Sequence, residues 1–384
     1  MYASDRPGPL YRGGVSFSAR PIPDGDLSGN DRLSGSGANL RMADRLFGRR
    51  PRYGYPSGWG DISFSFSYPQ GAQVNRGDGD DRIARERKWS SRSIGSAFQH
   101  QIFYFLIRLG GRVLSYAVLY VVVLYYVLLR PSIRRRTEFY LSHRFPDRKG
   151  LGRLLDSYHL SLQLGKTLVD RAIVGILGPG QMDVEFTGRE RLFDLLDKGT
   201  GFVLLTAHVG CWQVALSALH FLKVPVAMVL QQEEGDVDRQ YFEHAGLPCP
   251  YQTIDPGGYL GGSLEMMQVL KEGGILCMMG DRVFGSGKNT LCCDFLGGRA
   301  LFPYSPFKLA SATEVPVVVL LSNKTGPRTY ALNVAKVIAV PRREGRSGEA
   351  FRPYLSQFVD ALESFAREYP YQFFNFHDMW DGCS

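Results

Sequence analysis

The chain has 384 residues, with 45 Lys and Arg against 37 Asp and Glu, a formal net charge of +8. This balance points to phosphate-bearing partners. No zinc-finger spacing, RNA-binding aromatic signature or basic heptad pattern supports nucleic acid, which leaves anionic lipid as the stronger reading.

Residues 1–95 are rich in Gly, Ser, Arg, Asp and Pro, as in "GDLSGNDRLSGSGANLR", and are predicted to be a disordered tail. No apolar core follows Met1, so the tail does not read as a secretory signal. The second region, 97–136, is hydrophobic with basic flanks. Val113 to Leu129 runs for 17 residues without a charge, the lower limit for a spanning helix. Tyr120, Tyr125 and Tyr126 suit an interface. Arg108 and Arg112 precede the run, and Arg130, Arg134, Arg135 and Arg136 follow it. Positive charge on both flanks gives no orientation by loop charge; it fits a helix entering one leaflet and held by anionic headgroups. A buried soluble helix is the competing reading.

The third region, 137–384, reads as one domain. "RRTEFYLSHRFPDRK" and "LGRLLDSYHLSLQLGKTLVDRAIVGIL" have apolar residues at helical spacing. Strands and helices then alternate. Strands are predicted at 201–207, 224–230, 275–280, 315–321 and 330–340, and helices at 211–222, 239–246, 263–274 and 354–370. Continuous apolar strands between helices predict an α/β fold with a mixed, mainly parallel sheet flanked by helices. The six cysteines form no Cys-x-x-Cys pair, which argues against structural zinc. Cys292 and Cys293 are adjacent, and the thiols are expected to be reduced in a cytosol-facing domain.

In such sheets functional groups gather at the carboxyl ends of strands. His208 follows the strand "GFVLLTA", Asp281 and Arg282 follow "ILCMMG", and Glu233 and Glu234 follow "VPVAMVL". A histidine so placed also serves simply as a hydrogen-bonded turn residue, and the glutamates as an exposed acidic loop. Cys211 lies three residues from His208 but reads as packing rather than as a nucleophile. "GSGKNT" departs from the phosphate-loop pattern and is set aside.

"HVGCWQ" resembles the His-x4-acid motif of glycerolipid-type acyltransferases, in the branch that acylates lipid A. His208, Gly210 and Trp212 match; Cys211 stands where that branch has Asn, and Gln213 where it has Glu. The resemblance continues through "DVEFTGRERLFDLLDKGTGFVLLTAH", "MMGDRVFGSG", "DFLGGRALFPYSPFKLASATEVPVVVLL" and "YPYQFFNFHDMW", and covers residues 97 to 381. It implies a membrane-attached O-acyltransferase of the bacterial inner membrane with its catalytic domain facing the cytoplasm. The acyl donor would be an acyl carrier protein or coenzyme A thioester, the acceptor a glycolipid, and no metal or organic cofactor is called for.

The resemblance makes His208 the general base, with Gln213 in its partner's place. Gly210 and the first amides of a helix starting near Val209 or Gly210 would steady a phosphate or oxyanion. Trp212, Glu233, Asp281 and Arg282 would line the substrate site, with Lys308 and Arg299 on a basic rim. Gln213 leaves three arrangements open: a His208–Gln213 dyad, an acid supplied by Asp281, Glu233 or Glu234, or a relative that binds lipid without catalysis.

Overall fold

The computed structural model describes residues 97–211, 224–230, 251–283, 289–342 and 347–383. The tail at 1–95, all but Cys211 of the helix predicted at 211–222, the helix predicted at 239–246, and Trp212, Gln213, Glu233 and Glu234 lie outside the described residues.

The centre is a run of apolar strands whose alternate residues serve opposite layers. In β2 (Phe202–Thr206) Val203 and Leu205 join one core, while Phe202 and Leu204 join the other. The same division holds in β5 (Ile275–Met279) and β8 (Val317–Lys324). Both faces are therefore apolar, as a covered sheet requires. With β1 (Asp183–Thr187), β3 (Val226–Val229), β4 (Gln252–Ile254) and β9 (Thr329–Ile338) the sheet order is β1-β9-β8-β2-β5-β3-β4. Every neighbouring pair is parallel except β8–β9. The α/β, mainly parallel fold is thus as the strand pattern predicts. The short β1 and β4 and the antiparallel hairpin of β6 (Thr290–Phe295) and β7 (Gly298–Pro303) had no sequence prediction.

Leu192 of α4 (Arg189–Asp197) covers one face. The other is covered by α5 (Ser263–Lys271), α6 (Ser305–Thr313), α7 (Arg352–Glu368) and the hairpin. In α7, Leu355, Phe358, Val359 and Leu362 repeat at helical spacing and bury toward the sheet.

Among the described residues three helices precede the sheet: α1 (Ala97–Leu129), kinked at Gly111, α2 (Pro131–Arg144) and α3 (Gly150–Leu177). From Ile102 to Leu129, α1 is long and apolar enough to cross a membrane, by length and composition. One stripe of it, Ser115, Leu119, Val123 and Val127, is buried at four-residue spacing, and its apolar members pack with Leu162, Val169 and Ile173 of α3. Much of its remaining surface is exposed hydrocarbon, with Val113 at 82% and Val121 at 68% exposure.

Asp170 of α3, fully buried, fixes α1 to the sheet. Its carboxylate receives Arg112 Nε (3.3 Å) and Tyr116 OH (2.6 Å) from α1, Tyr330 OH (2.8 Å) from β9, and Lys324 Nζ from the end of β8. A buried charge is tolerated when it is so paired.

One expectation is corrected. Cys292 of β6 is disulfide-bonded to Cys383, 91 residues on, so these two are not reduced thiols. Adjacent Cys292 and Cys293 point to opposite sides of the strand: Cys293 is buried in the core, and Cys292 is left to meet the C-terminal segment. Hydrogen bonds from Leu301 N to Met379 O (2.8 Å) and from Trp380 Nε1 to Phe295 O (3.2 Å) hold that segment against the hairpin.

Candidate active site

The site follows from strand register. β2 and β5 are adjacent and parallel, with Thr206 opposite Met279. His208 and Asp281 each lie two residues further on, so the register that pairs the strands also sets them side by side. Gly280 N donates to Thr206 O at 2.8 Å and continues the pairing beyond the strands. His208 Nδ1 then lies 2.9 Å from Asp281 Oδ1 and 3.0 Å from Oδ2. The Asp281 side chain is fully buried, whereas 21% of the His208 side chain is exposed. The acid is inside and the imidazole reaches outward.

Burial pushes the Asp281 carboxyl up. The charge and hydrogen bond of His208, with the Arg282 guanidinium, outweigh burial and hold it down at about 2. Asp281 is therefore ionised at neutral pH and accepts a hydrogen bond from Nδ1–H; in the neutral ring that tautomer carries its lone pair on Nε2. Arg282 is itself pulled down by burial, to about 10, against the opposing charge of Asp281, and stays protonated.

The turn after β2 is clamped from two sides. On one side the C-terminal segment runs alongside it: Phe374 N donates to His208 O (2.7 Å), Val209 bridges Phe373, and Gly210 N donates to Gln372 O (3.2 Å). On the other side Ser322 of β8 accepts from Cys211 N and donates to Val209 O, each at 3.1 Å. Gly210 has φ +51°, and a Cβ there would lie 2.2 Å from Ser322 O. Only glycine fits both constraints.

These contacts revise the expectation for residues 209–211. The amides of Val209, Gly210 and Cys211 bind Ala207 O, Gln372 O and Ser322 Oγ. They build the turn and are not aimed at an oxyanion or phosphate. The space beside Gly210 is taken by Ser322 rather than by substrate. Cys211 is buried and packs among α1 and α3 residues, in line with a packing role. Arg282, 7% exposed, points inward and donates to Phe374 O at 3.1 Å, so it ties the C-terminal segment behind Asp281. Lys308 and Arg299 are exposed on α6 and β7.

Ser322 and Gln372 were missed by sequence reasoning. A signal existed in "VVVLLSN", where Ser322 and Asn323 end a buried strand yet are 3% and 5% exposed. Gln372 closes a further loop: its amide accepts from Lys324 N (2.6 Å) and donates to Lys324 O (2.9 Å), joining the C-terminal segment to the β8 end that carries the Asp170 ion pair. Among the described residues no group of three or more His, Cys, Asp or Glu side chains could hold a metal ion.

An α/β sheet with a histidine–carboxylate pair at the ends of adjacent parallel strands has the equipment for general-base chemistry. Residues 164–381, more than half of the chain, match the bacterial lipid A biosynthesis acyltransferase family, and the chain belongs to that family: it is an acyltransferase of lipid biosynthesis. Among solved structures it is similar to the 1-acyl-sn-glycerophosphate (LPA) acyltransferase PlsC from Thermotoga maritima, at 15% identity and TM-score 0.32, covering 67% of this chain and 98% of that one. No curated protein sequence gives a significant match.

Proposed function

We propose that the protein transfers a fatty acyl chain from an acyl carrier protein or coenzyme A thioester to a hydroxyl of a lipid A-like glycolipid, with His208 as general base and Asp281 as its orienting acid. The observation that carries this reading is the contact between His208 Nδ1 and the buried, ionised Asp281. Nε2 takes the acceptor hydroxyl proton as the oxygen attacks the thioester carbonyl carbon. Asp281 stabilises the imidazolium that forms. Collapse of the tetrahedral intermediate re-forms the carbonyl and breaks the C–S bond. The imidazolium then returns its proton to the departing thiolate. The step calls for no metal or organic cofactor.

Asp281 supplies the charge that Gln213 lacks, which favours the second of the three arrangements over a His208–Gln213 dyad. The exposed apolar face of α1 and its basic flanks support attachment to an anionic membrane.

The test is acyl transfer from a labelled thioester to a lipid acceptor mixture, comparing the full chain with His208→Ala. Loss of transfer by about 10²-fold or more is expected for a missing general base. Equal transfer by both proteins would rule out His208 in that role.

A further inference from the structure

A groove of about 350 Å³ lies where the loop after α2 meets the first turns of α3, lined by Arg148, Lys149, Leu155, Asp156, His159 and Tyr371. Asp156 forms its floor, 1% exposed. Its Oδ1 accepts from Arg148 Nη1 and from Tyr371 OH (2.7 Å). Its Oδ2 is buried and has no hydrogen-bond partner among the described residues. A buried carboxylate oxygen without a donor is costly, and a ligand hydroxyl in the groove would supply one once the carboxylate turns toward it.

The other walls are suited to an anion. Lys149 and His159 are exposed on the rim, and the Arg148 guanidinium is held over the Phe145 ring at 4.3 Å. Hydrocarbon lies alongside, with Leu151 72% and Leu155 49% exposed. The groove also sits beside the membrane candidate. α1 and α3 run antiparallel, since Arg112 meets Asp170 while Tyr120 O accepts from Tyr158 OH at 3.5 Å. The first turns of α3 therefore lie near the end of α1, where Leu128 and Leu129 are exposed just before the exposed Arg130, Arg135 and Arg136.

We propose that this groove binds the headgroup of a phosphodiester lipid bearing a free hydroxyl. Lys149 and His159 meet the phosphate, Asp156 Oδ2 accepts from the headgroup hydroxyl, and Leu151 and Leu155 meet the first carbons of the chains. The site concerns binding and does not depend on His208 chemistry.

Calorimetric titration of the full chain tests it with two short-chain lipids kept monomeric, dihexanoyl phosphatidylglycerol and dihexanoyl phosphatidylmethanol. They carry the same charge and differ in the headgroup hydroxyls. Neither requires α1 to enter a bilayer, so failure of the membrane reading and failure of this site remain distinguishable. Phosphatidylglycerol should bind about tenfold tighter, the scale of one hydrogen bond to a charged group. Asp156→Asn should bring the two lipids within about twofold of each other. Lys149→Ala with His159→Ala changes exposed residues only, and should weaken both lipids about tenfold while keeping their ratio. Thermal unfolding checks that each variant folds, and the Lys149/His159 arm carries the test if Asp156→Asn does not. Equal binding of the two lipids by the unaltered protein, or unchanged binding by the Lys149/His159 variant, would overturn the site. Glycerol 1-phosphate binding as tightly as phosphatidylglycerol would overturn the lipid assignment in favour of a free phosphate ester.

Discussion

Asp281→Asn separates the two candidate partners of His208. The substitution keeps the shape of the side chain and removes its charge. In the native site that charge is fully buried, 2.9 Å from the ring nitrogen it orients. With charge centres about 4 Å apart and an effective dielectric near 20, its attraction for a developing imidazolium is about 4 kcal/mol. If the whole of that interaction is made only in the transition state, kcat falls by about 10³-fold. An amide can also hold the wrong tautomer by donating to Nδ1, which acts in the same direction. The assay is the single-turnover rate of acyl transfer from a labelled thioester, with thermal unfolding to confirm that the variant is folded. Gln213→Glu serves as the counterpart: with Asp281 already charged and in contact, a second acid should change kcat by less than about threefold. A folded Asp281→Asn that keeps kcat within threefold, beside a Gln213→Glu that raises it, would refute the assignment and return the partner role to Gln213.

Gly210→Ala should cost about 3 kcal/mol or more by chemical denaturation, because the new methyl meets Ser322 O at 2.2 Å and the backbone is left-handed; it should lower activity as the His208 turn moves. Asp170→Asn leaves the Lys324 charge without its buried partner and should destabilise by about 3 to 5 kcal/mol, with adding Lys324→Met recovering most of the loss. Acid titration should show a contribution from Asp281. Its folded value, about 2, lies below the ordinary 3.8, so this stability is present above pH 3.8 and lost as pH falls through 2. The loss is about 2 kcal/mol, seen in denaturation midpoints and absent in Asp281→Asn. Alkylation of the unfolded, unreduced protein followed by peptide mapping should label Cys211, Cys277 and Cys293 and spare Cys292 and Cys383.

The layered sheet was legible because its strands are apolar on both faces, a pattern that survives without tertiary information. β1 and β4 escaped because they are short and sit at the sheet edges, where "DVEFT" buries only part of its surface and carries acids outward. The hairpin escaped because "LCCDFLGGRALF" alternates only loosely. Its two central residues are Leu296, at φ +50°, and Gly297, where the usual signal of such a turn is Asn-Gly or Asp-Gly. The disulfide was hidden for a different reason: Cys383 lies far from Cys292 in the chain, and pairing across 91 residues follows from the path of the C-terminal segment, not from spacing.

The site was half legible, and the division is instructive. Motif spacing directs attention to the residue five places after His208, because local text is what a motif can hold. Register directs it to Asp281, 73 residues away in sequence and two residues past the partner strand's end. Two parallel neighbours whose apolar runs stop together bring whatever follows them into contact, so a polar residue two positions past each end is a pair the sequence could have nominated once β2 and β5 were taken as adjacent. What could not be read was the clamp. Gln372, Phe373 and Phe374 reach the His208 turn only because the chain returns after α7 along its open side, and Ser322 only because β8 flanks β2. On the proposed assignment the acid of the His-x4-acid motif is replaced at a strand end without disturbing the turn, since the turn is held by backbone contacts from elsewhere and the charge need only arrive within reach of Nδ1.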